Sequence, residues 1–220
     1  MTAKPKENLV VPKIIVNATP QSFEAEQFRI LRTSINFQTK KQNVHSLIVS
    51  SSSHSEGKTT TVVNLSAVYA EEGKNVLIID GDMRTPMIHQ IFHKSNTLGL
   101  SNVLTKNTSF AEAIQSTFIP GLSILTSGPV PVNPVKLLGS NMLEQLITQA
   151  TTDFDVVIFD SPPVLLVSDA QLIADKCQCS ILVVNSKETQ KDLAFKAKSI
   201  LDLTDSQLLG AVLNESGGHL

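Results

Sequence analysis

The stretch from Val44 to Thr61 limits what this chain can fold into more than any other. Leu47-Ile48-Val49 has the aliphatic character of a short buried strand, and Ser50 to Glu56 contains no apolar residue and reads as a loop. A helix is expected to open at Gly57 or Lys58 and run to Glu72, with Gly73 placed to end it in a left-handed conformation. Strand, small-residue loop, Gly57-Lys58-Thr59 and helix together suit a phosphate-binding loop. In such a loop, backbone N–H groups converge on an anion at a helix N-terminus, where the helix dipole favours negative charge. Lys58 is placed to reach the β- and γ-phosphates and the Thr59 hydroxyl to ligate Mg²⁺. Ser55, Glu56, Gly57, Lys58, Thr59 and Thr60 are therefore the candidate nucleotide-binding residues of the loop. Ser52 stands where such loops usually carry their first glycine. Beyond Thr61 the helix is apolar nearly all round (Val62, Val63, Leu65, Ala67, Val68, Ala70), which predicts burial against a sheet.

Two acidic motifs give this loop its context. Asn75-Val76-Leu77-Ile78-Ile79-Asp80 reads as a buried strand and runs into Asp80-Gly81-Asp82-Met83-Arg84. Phe154-Asp155-Val156-Val157-Ile158-Phe159-Asp160 is a second such strand, followed by Ser161-Pro162-Pro163. In an open parallel sheet, ligands bind beyond the carboxyl ends of the strands, so Asp80, Asp82 and Asp160 are expected beside the phosphate loop. An acid closing an apolar strand holds Mg²⁺ in phosphate-loop proteins, often through water.

The remaining segments complete an alternation. Residues 1–20 are mostly polar, broken by Pro5, Pro12 and Pro20, and read as a mobile arm in which Ile14-Ile15-Val16 docks as an edge strand. Ser22 caps a helix running through Phe37, on which Glu26, Arg29 and Arg32 recur every third residue within reach of each other. Short helices broken at Gly99 fill residues 91–118, and Leu122 to Leu125 is a strand. Ser127 to Pro134, with three prolines, is a stiff loop, and Leu137 to Thr148 a helix. A short helix over 170–175, a strand over 180–184, a helix over 189–203 and a last strand, Leu208 to Leu213 with Asn214 directly after it, close the chain. Six strands alternating with helices predict an α/β fold, a mostly parallel sheet covered on both faces.

The 220 residues suffice for one such domain, expected over residues 21–214 with a polar stub at 215–220. A net charge of −2, with no basic stripe or aromatic platform, argues against nucleic acid or anionic lipid as a partner. No apolar run reaches membrane-spanning length and no signal peptide opens the chain. Cys177 and Cys179 are one residue apart, where a disulfide is strained, so they are expected as free thiols of a reducing cytosol.

Ser52-x4-Gly57-Lys58-Thr59, Asp80-x-Asp82-x-Arg84 and Asp160-Ser161-Pro162-Pro163, in that order, resemble the bacterial tyrosine kinases of capsule and exopolysaccharide synthesis. These have a P-loop NTPase-like fold of the deviant-Walker type. Glu26-x-x-Arg29-x-x-Arg32 is similar to that family's subunit-contact motif, and Leu125 to Pro129 with Asn133-Pro134 also resembles it. The resemblance covers residues 20–214 and implies ATP and Mg²⁺ as cofactors, with the γ-phosphoryl group passing to a tyrosine hydroxyl. It implies Lys58 on the β–γ bridge and Mg²⁺ held by Thr59, Asp82 and Asp160. Asp80 becomes the candidate to accept or steer the tyrosine proton. Arg84 is placed at the phosphates or as a support for Asp82, and Asn214 at adenine. It further implies a ring-shaped homo-oligomer built through Glu26, Arg29 and Arg32. The chain resembles the cytoplasmic half of a split system, recruited to the inner face of the membrane and activated by an adaptor of the polysaccharide co-polymerase type, with protein tyrosines as substrates.

Two departures stand out. His54 and Ser55 occupy positions where the family usually has Pro and often Gly. The tyrosine cluster that usually ends the family's chains is absent: the only tyrosine is Tyr69, in the helix expected to be buried. A nucleotide-driven assembly module with little kinase activity therefore remains an alternative. A partitioning ATPase of the same broad fold is disfavoured, because no lysine lies within Ser51 to His54 and Asp80-x-Asp82-x-Arg84 points to the kinase branch.

Overall fold

A computed structural model of the chain describes residues 13–40 and 44–215; of the arm expected over residues 1–20 the first twelve, and of the stub expected over 215–220 all but Glu215, lie outside the described residues. In chain order the helices are α1 (Ile15–Ala18), α2 (Phe23–Thr39), α3 (Lys58–Glu71), α4 (Ile88–Ile91), α5 (Leu100–Leu104), α6 (Phe110–Ala113), α7 (Pro134–Leu138), α8 (Asn141–Asp153), α9 (Asp169–Ala174) and α10 (Lys191–Leu201). The strands are β1 (Ser46–Ser51), β2 (Val76–Asp80), β3 (Gln115–Ser116), β4 (Leu122–Leu125), β5 (Val156–Asp160), β6 (Cys179–Asn185) and β7 (Gln207–Asn214). They form one sheet in the order β3-β4-β2-β5-β1-β6-β7, parallel throughout except for β3 against β4.

Alternation along the central strands divides the core. Ile48, Leu77, Ile79, Leu125 and Phe159 point to one face and pack with α5 to α10. Leu47, Val49, Ile78, Ile124 and Ile158 point to the other and pack with α1 to α4. All ten of these side chains are nearly or wholly removed from water, each contributing about 1.5–3 kcal/mol of burial. Helices on both faces explain why these strands read as unbroken aliphatic runs. α3 lies between the sheet and α2, with residues 61–70 buried throughout.

The local signals read from sequence appear where their chemistry places them. Ser22 caps α2 by accepting from the Ala25 amide at 3.1 Å. Gly73 has φ +84° just past the end of α3. Four expectations need correction. Ile14-Ile15-Val16 is a helical turn and not an edge strand, because Asn64 of α3 accepts from the Val16 amide at 3.1 Å and donates to the Lys13 carbonyl at 3.0 Å. That grip buries Ile14 and Val16, so this part of the expected arm is packed against the domain. The helix expected over 137–148 is two helices broken at Gly139 and Ser140, and the first opens at Pro134 with Asn133 as its cap. A seventh strand, β3, pairs antiparallel with β4.

Candidate active site

Gly57 takes φ +95°, the left-handed conformation that glycine adopts without penalty, and turns the loop into α3. Ser55 also takes a left-handed conformation, with φ +60°. The loop is closed on itself by Glu56. Its buried carboxylate accepts from the Ser52 amide at 2.8 Å, the Ser52 hydroxyl at 2.7 Å and the Ser53 amide at 3.2 Å, and also from the Thr189 hydroxyl. Asn214, at the end of β7, donates to the Glu56 carbonyl at 3.1 Å. Thr189 and Asn214 thus hold the loop from the β6 and β7 side. Sequence reasoning missed Thr189, which carries no local signal for this role. Asn214, expected at adenine, has its amide engaged with the loop backbone.

Lys58 and Thr59 open α3 beside the end of β5. The Thr59 hydroxyl donates to Asp160 Oδ2 at 2.7 Å. Asp160 and Asp80 are register partners on adjacent parallel strands and both are buried. Burial raises the Asp160 carboxyl to about 6 even though the Lys58 charge and the Thr59 bond pull it down. Burial, and then the neighbouring Asp160, push Asp80 well above the ordinary carboxylate range, although its Oδ2 accepts from the Ile88 amide at 3.1 Å. Oδ1 of Asp80 and Oδ1 of Asp160 are both buried with no hydrogen-bond partner.

Asp82 caps its own turn: it accepts from the Arg84 amide at 3.3 Å, the Thr85 amide at 3.0 Å and the Thr85 hydroxyl at 3.0 Å. Arg84, expected at the phosphates or as a support for Asp82, closes the same turn. Its guanidinium makes a two-bonded pair with Asp169 at 3.0 and 3.1 Å, and only its backbone supports Asp82. The reason is electrostatic, since Asp169 is wholly buried at the start of α9 and needs a cation partner.

The donor set suits a hard cation such as Mg²⁺: a hydroxyl, and carboxylate oxygens two of which have free lone pairs in a buried place. Among the described residues no three His, Cys, Asp or Glu side chains converge into a protein-only metal cage. Mg²⁺ is commonly held instead by one or two carboxylates, water and nucleotide phosphates, so the residues fit.

The other expected residues lie elsewhere. Glu26, Arg29 and Arg32 are on the outer helix α2, and the two arginines engage α3 of the same chain. Arg29 pairs with Glu26 and Glu71, each at 3.3 Å. Arg32 pairs with Glu72 at 3.6 Å and donates to the Val68 carbonyl at 2.9 Å. Tyr69 is buried under α2, donates to Asn36 Oδ1 at 3.0 Å, and has its phenol pKa raised, chiefly by burial. Cys177 and Cys179 are free and buried, and burial raises both thiols.

The family model described as an AAA domain matches residues 48–190. The tyrosine-protein kinase YwqD of Bacillus subtilis is 42% identical over 201 residues, which span 91% of this chain and 85% of that protein. Among solved structures, the chimerical protein CapA2B2 superposes with a TM-score of 0.87 at 39% identity, over 91% of this chain and 88% of the other. The kinase domain of the Escherichia coli tyrosine kinase ETK does so with a TM-score of 0.89 at 28% identity, over 99% and 87%.

Proposed function

This chain belongs to the bacterial tyrosine-protein kinases, with the P-loop NTPase-like fold of that family, and we propose that it transfers the γ-phosphoryl group of Mg-ATP to tyrosines of other proteins. The observation that carries this reading is the convergence of Lys58, Thr59, Asp80 and Asp160 at the carboxyl ends of the central strands, with Thr59 and Asp160 joined at 2.7 Å. Phosphoryl transfer leaves a protein little covalent chemistry to perform. Positioning and charge stabilisation dominate.

In this reading the loop amides of Ser55 to Thr60 and the Lys58 ammonium bind the phosphates. Thr59, Asp160 and Asp82 hold Mg²⁺, directly or through water. Mg²⁺ held there would supply positive charge to the phosphates. Asp80 receives or steers the proton of the acceptor tyrosine. Its Oδ1 is buried with no hydrogen-bond partner among the described residues, which leaves it free to meet a phenolic proton. Ser161 fixes the chain beyond Asp160 by donating to the Val49 carbonyl at 2.9 Å.

Tyr69 is not the acceptor in this reading, because it is buried and bonded to Asn36. The family resemblance extends the proposal to control of capsular or extracellular polysaccharide synthesis. Its membrane adaptor activates the kinase and recruits it to the inner face of the membrane. Among the described residues no helix is long and apolar enough to cross a membrane itself. Glu26, Arg29 and Arg32 serve subunit contact in a ring. The buried state of Tyr69 also favours a second reading, an ATP-dependent assembly module with little kinase activity. One experiment separates the two. Purified protein is given Mg-ATP, an adaptor-tail peptide and a tyrosine-containing acceptor, with Lys58→Met as control. Phosphotyrosine that needs Lys58 is expected. Nucleotide binding or hydrolysis without phosphotyrosine would favour the assembly module.

A further inference from the structure

Asp169 lies outside the three motifs, yet it is among the most completely buried carboxylates of the chain. It opens α9, and both of its oxygens are taken by Arg84, Oδ2 by Nε at 3.0 Å and Oδ1 by Nη2 at 3.1 Å. The two residues are 85 positions apart. A planar fork on a planar carboxylate fixes orientation as well as distance, which an ammonium cannot do. α9 makes a second contact with the same acidic turn. A Cβ added at Gly81 would lie 2.7 Å from Ile173 Cδ1 and 2.8 Å from the Asp160 carbonyl, so α9 and β5 close tightly on the backbone between Asp80 and Asp82. The Gly81 amide donates to that Asp160 carbonyl at 2.8 Å. The Asp80 to Arg84 turn is therefore held at its middle by Ile173 and β5 and at its far end by Asp169.

We propose that Asp169 is a positioning residue for phosphoryl transfer: through its two-bonded pair with Arg84 it fixes the turn that aims Asp80 and Asp82 at the reacting groups. The inference rests on the proposed roles of Asp80 and Asp82. It follows because the bonds of Asp82 are short-range: Asp82 binds only the backbone and hydroxyl of residues 84 and 85, which shape the turn without tying its far end to the domain. Arg84 anchors that far end, as the Gly81 amide on the Asp160 carbonyl anchors the middle. Its side chain is 42% exposed while Asp169 is wholly buried, so the pair spans from solvent to core beside the site.

The test uses the full chain with adaptor peptide and acceptor. Asp169→Ala and Asp169→Asn remove the buried charge and leave Arg84 free to be solvated, so both are expected to fold, as far-UV circular dichroism and thermal unfolding will show. Arg84→Lys tests the fork separately. Misplacing a catalytic group by about 1 Å costs on the order of 100-fold, so turnover is expected to fall by about 10- to 100-fold in all three variants. The Kd for a fluorescent ATP analogue measured without Mg²⁺ should stay within about threefold of the parent, because the phosphate loop is built by other residues. The double variant Asp169→Ala/Arg84→Lys should be no worse than the poorer single one, since both act through one pair. Unchanged turnover in the folded Asp169 variants would overturn the inference, as would a loss of nucleotide affinity or of fold as large as the loss of turnover. Lys58→Met separates this from the broader reading. If it leaves phosphotransfer intact, the site assignment fails; if it abolishes transfer while the Asp169 variants stay active, only the role of Asp169 fails.

Discussion

Thr59 and Asp160 share a 2.7 Å hydrogen bond across 101 residues of chain, tying the mouth of the phosphate-loop helix to the last residue of β5. The bond places a hydroxyl and a carboxylate together without any ligand. It occupies Oδ2 of Asp160, and Oδ1 is left buried and unpartnered. The site is thus arranged at some cost in folding free energy, and that cost is measurable.

For Asp160 the sign runs toward acid. Burial raises the folded-state pKa from an ordinary 3.8 to about 6. A raised carboxyl contributes stability that is complete below about pH 4 and is lost as pH rises through about 6. The interval corresponds to roughly 3 kcal/mol at 1.36 kcal/mol per pH unit. Asp160→Asn, which cannot ionise, is therefore expected to raise the nucleotide-free Tm at pH 7.5 by about 5–10 °C. At pH 5 the advantage should shrink as the parent protein protonates. The same variant should lose phosphotransfer by at least about 100-fold. Thermal unfolding at the two pH values checks the first part. A variant less stable than the parent at pH 7.5 would contradict it.

Gly57 yields a steric prediction. A Cβ there would lie 2.1 Å from Asn214 Nδ2, and the φ of +95° is itself strained for alanine by about 1–2 kcal/mol. Gly57→Ala should drive Asn214 off the Glu56 carbonyl, losing a further ~1 kcal/mol, and should weaken nucleotide binding by more than about tenfold. Gly57→Ala/Asn214→Ala removes the clash but keeps the strained backbone, so it should recover stability only in part. Urea unfolding and equilibrium binding of a fluorescent ATP analogue distinguish these terms. Full recovery in the double variant would mean that backbone strain is unimportant at this turn.

The residues of the phosphate loop and the strand ends also show what was legible in the sequence. Gly57, Lys58 and Asp160 announce themselves because a phosphate loop and a strand-ending acid are local patterns of a few residues. The sheet was readable for the same reason, since strands buried on both faces are unbroken aliphatic runs. Asp169 was not readable: its role is set by Arg84, and nothing within α9 distinguishes it from an ordinary first-turn acid. Ile14-Ile15-Val16 has strand-like composition, but Asn64 offers its backbone a different set of partners. β3 is only Gln115–Ser116 and exists because Ser123 and Ile124 lie opposite. Asn133-Pro134, by contrast, is a cap followed by a first-turn proline, a signal present in the sequence that the three-proline loop obscured.

α2 carries the assembly prediction. Arg29 and Arg32 bind α3 of their own chain, so replacing them changes the seating of α2 as well as any contact with a neighbour. Glu26, 59% exposed, has only its weak pair with Arg29. Exposed Phe23, Ile30 and Phe37 recur every seventh residue along the same side of α2 as Glu26, giving the seam apolar area that an intersubunit contact can bury. Glu26→Ala and Ile30→Asp should therefore leave Tm within about 2 °C of the parent, a surface change of under about 0.5 kcal/mol, yet shift the protein toward monomers in sizing with multi-angle scattering. The triple alanine variant at 26, 29 and 32 should lose assembly and also unfold several degrees earlier, because α2 loses its ion pairs to α3. If Glu26→Ala and Ile30→Asp assemble like the parent while the triple variant merely loses stability, these residues serve to seat α2 within one chain, and the proposed subunit contact through α2 fails.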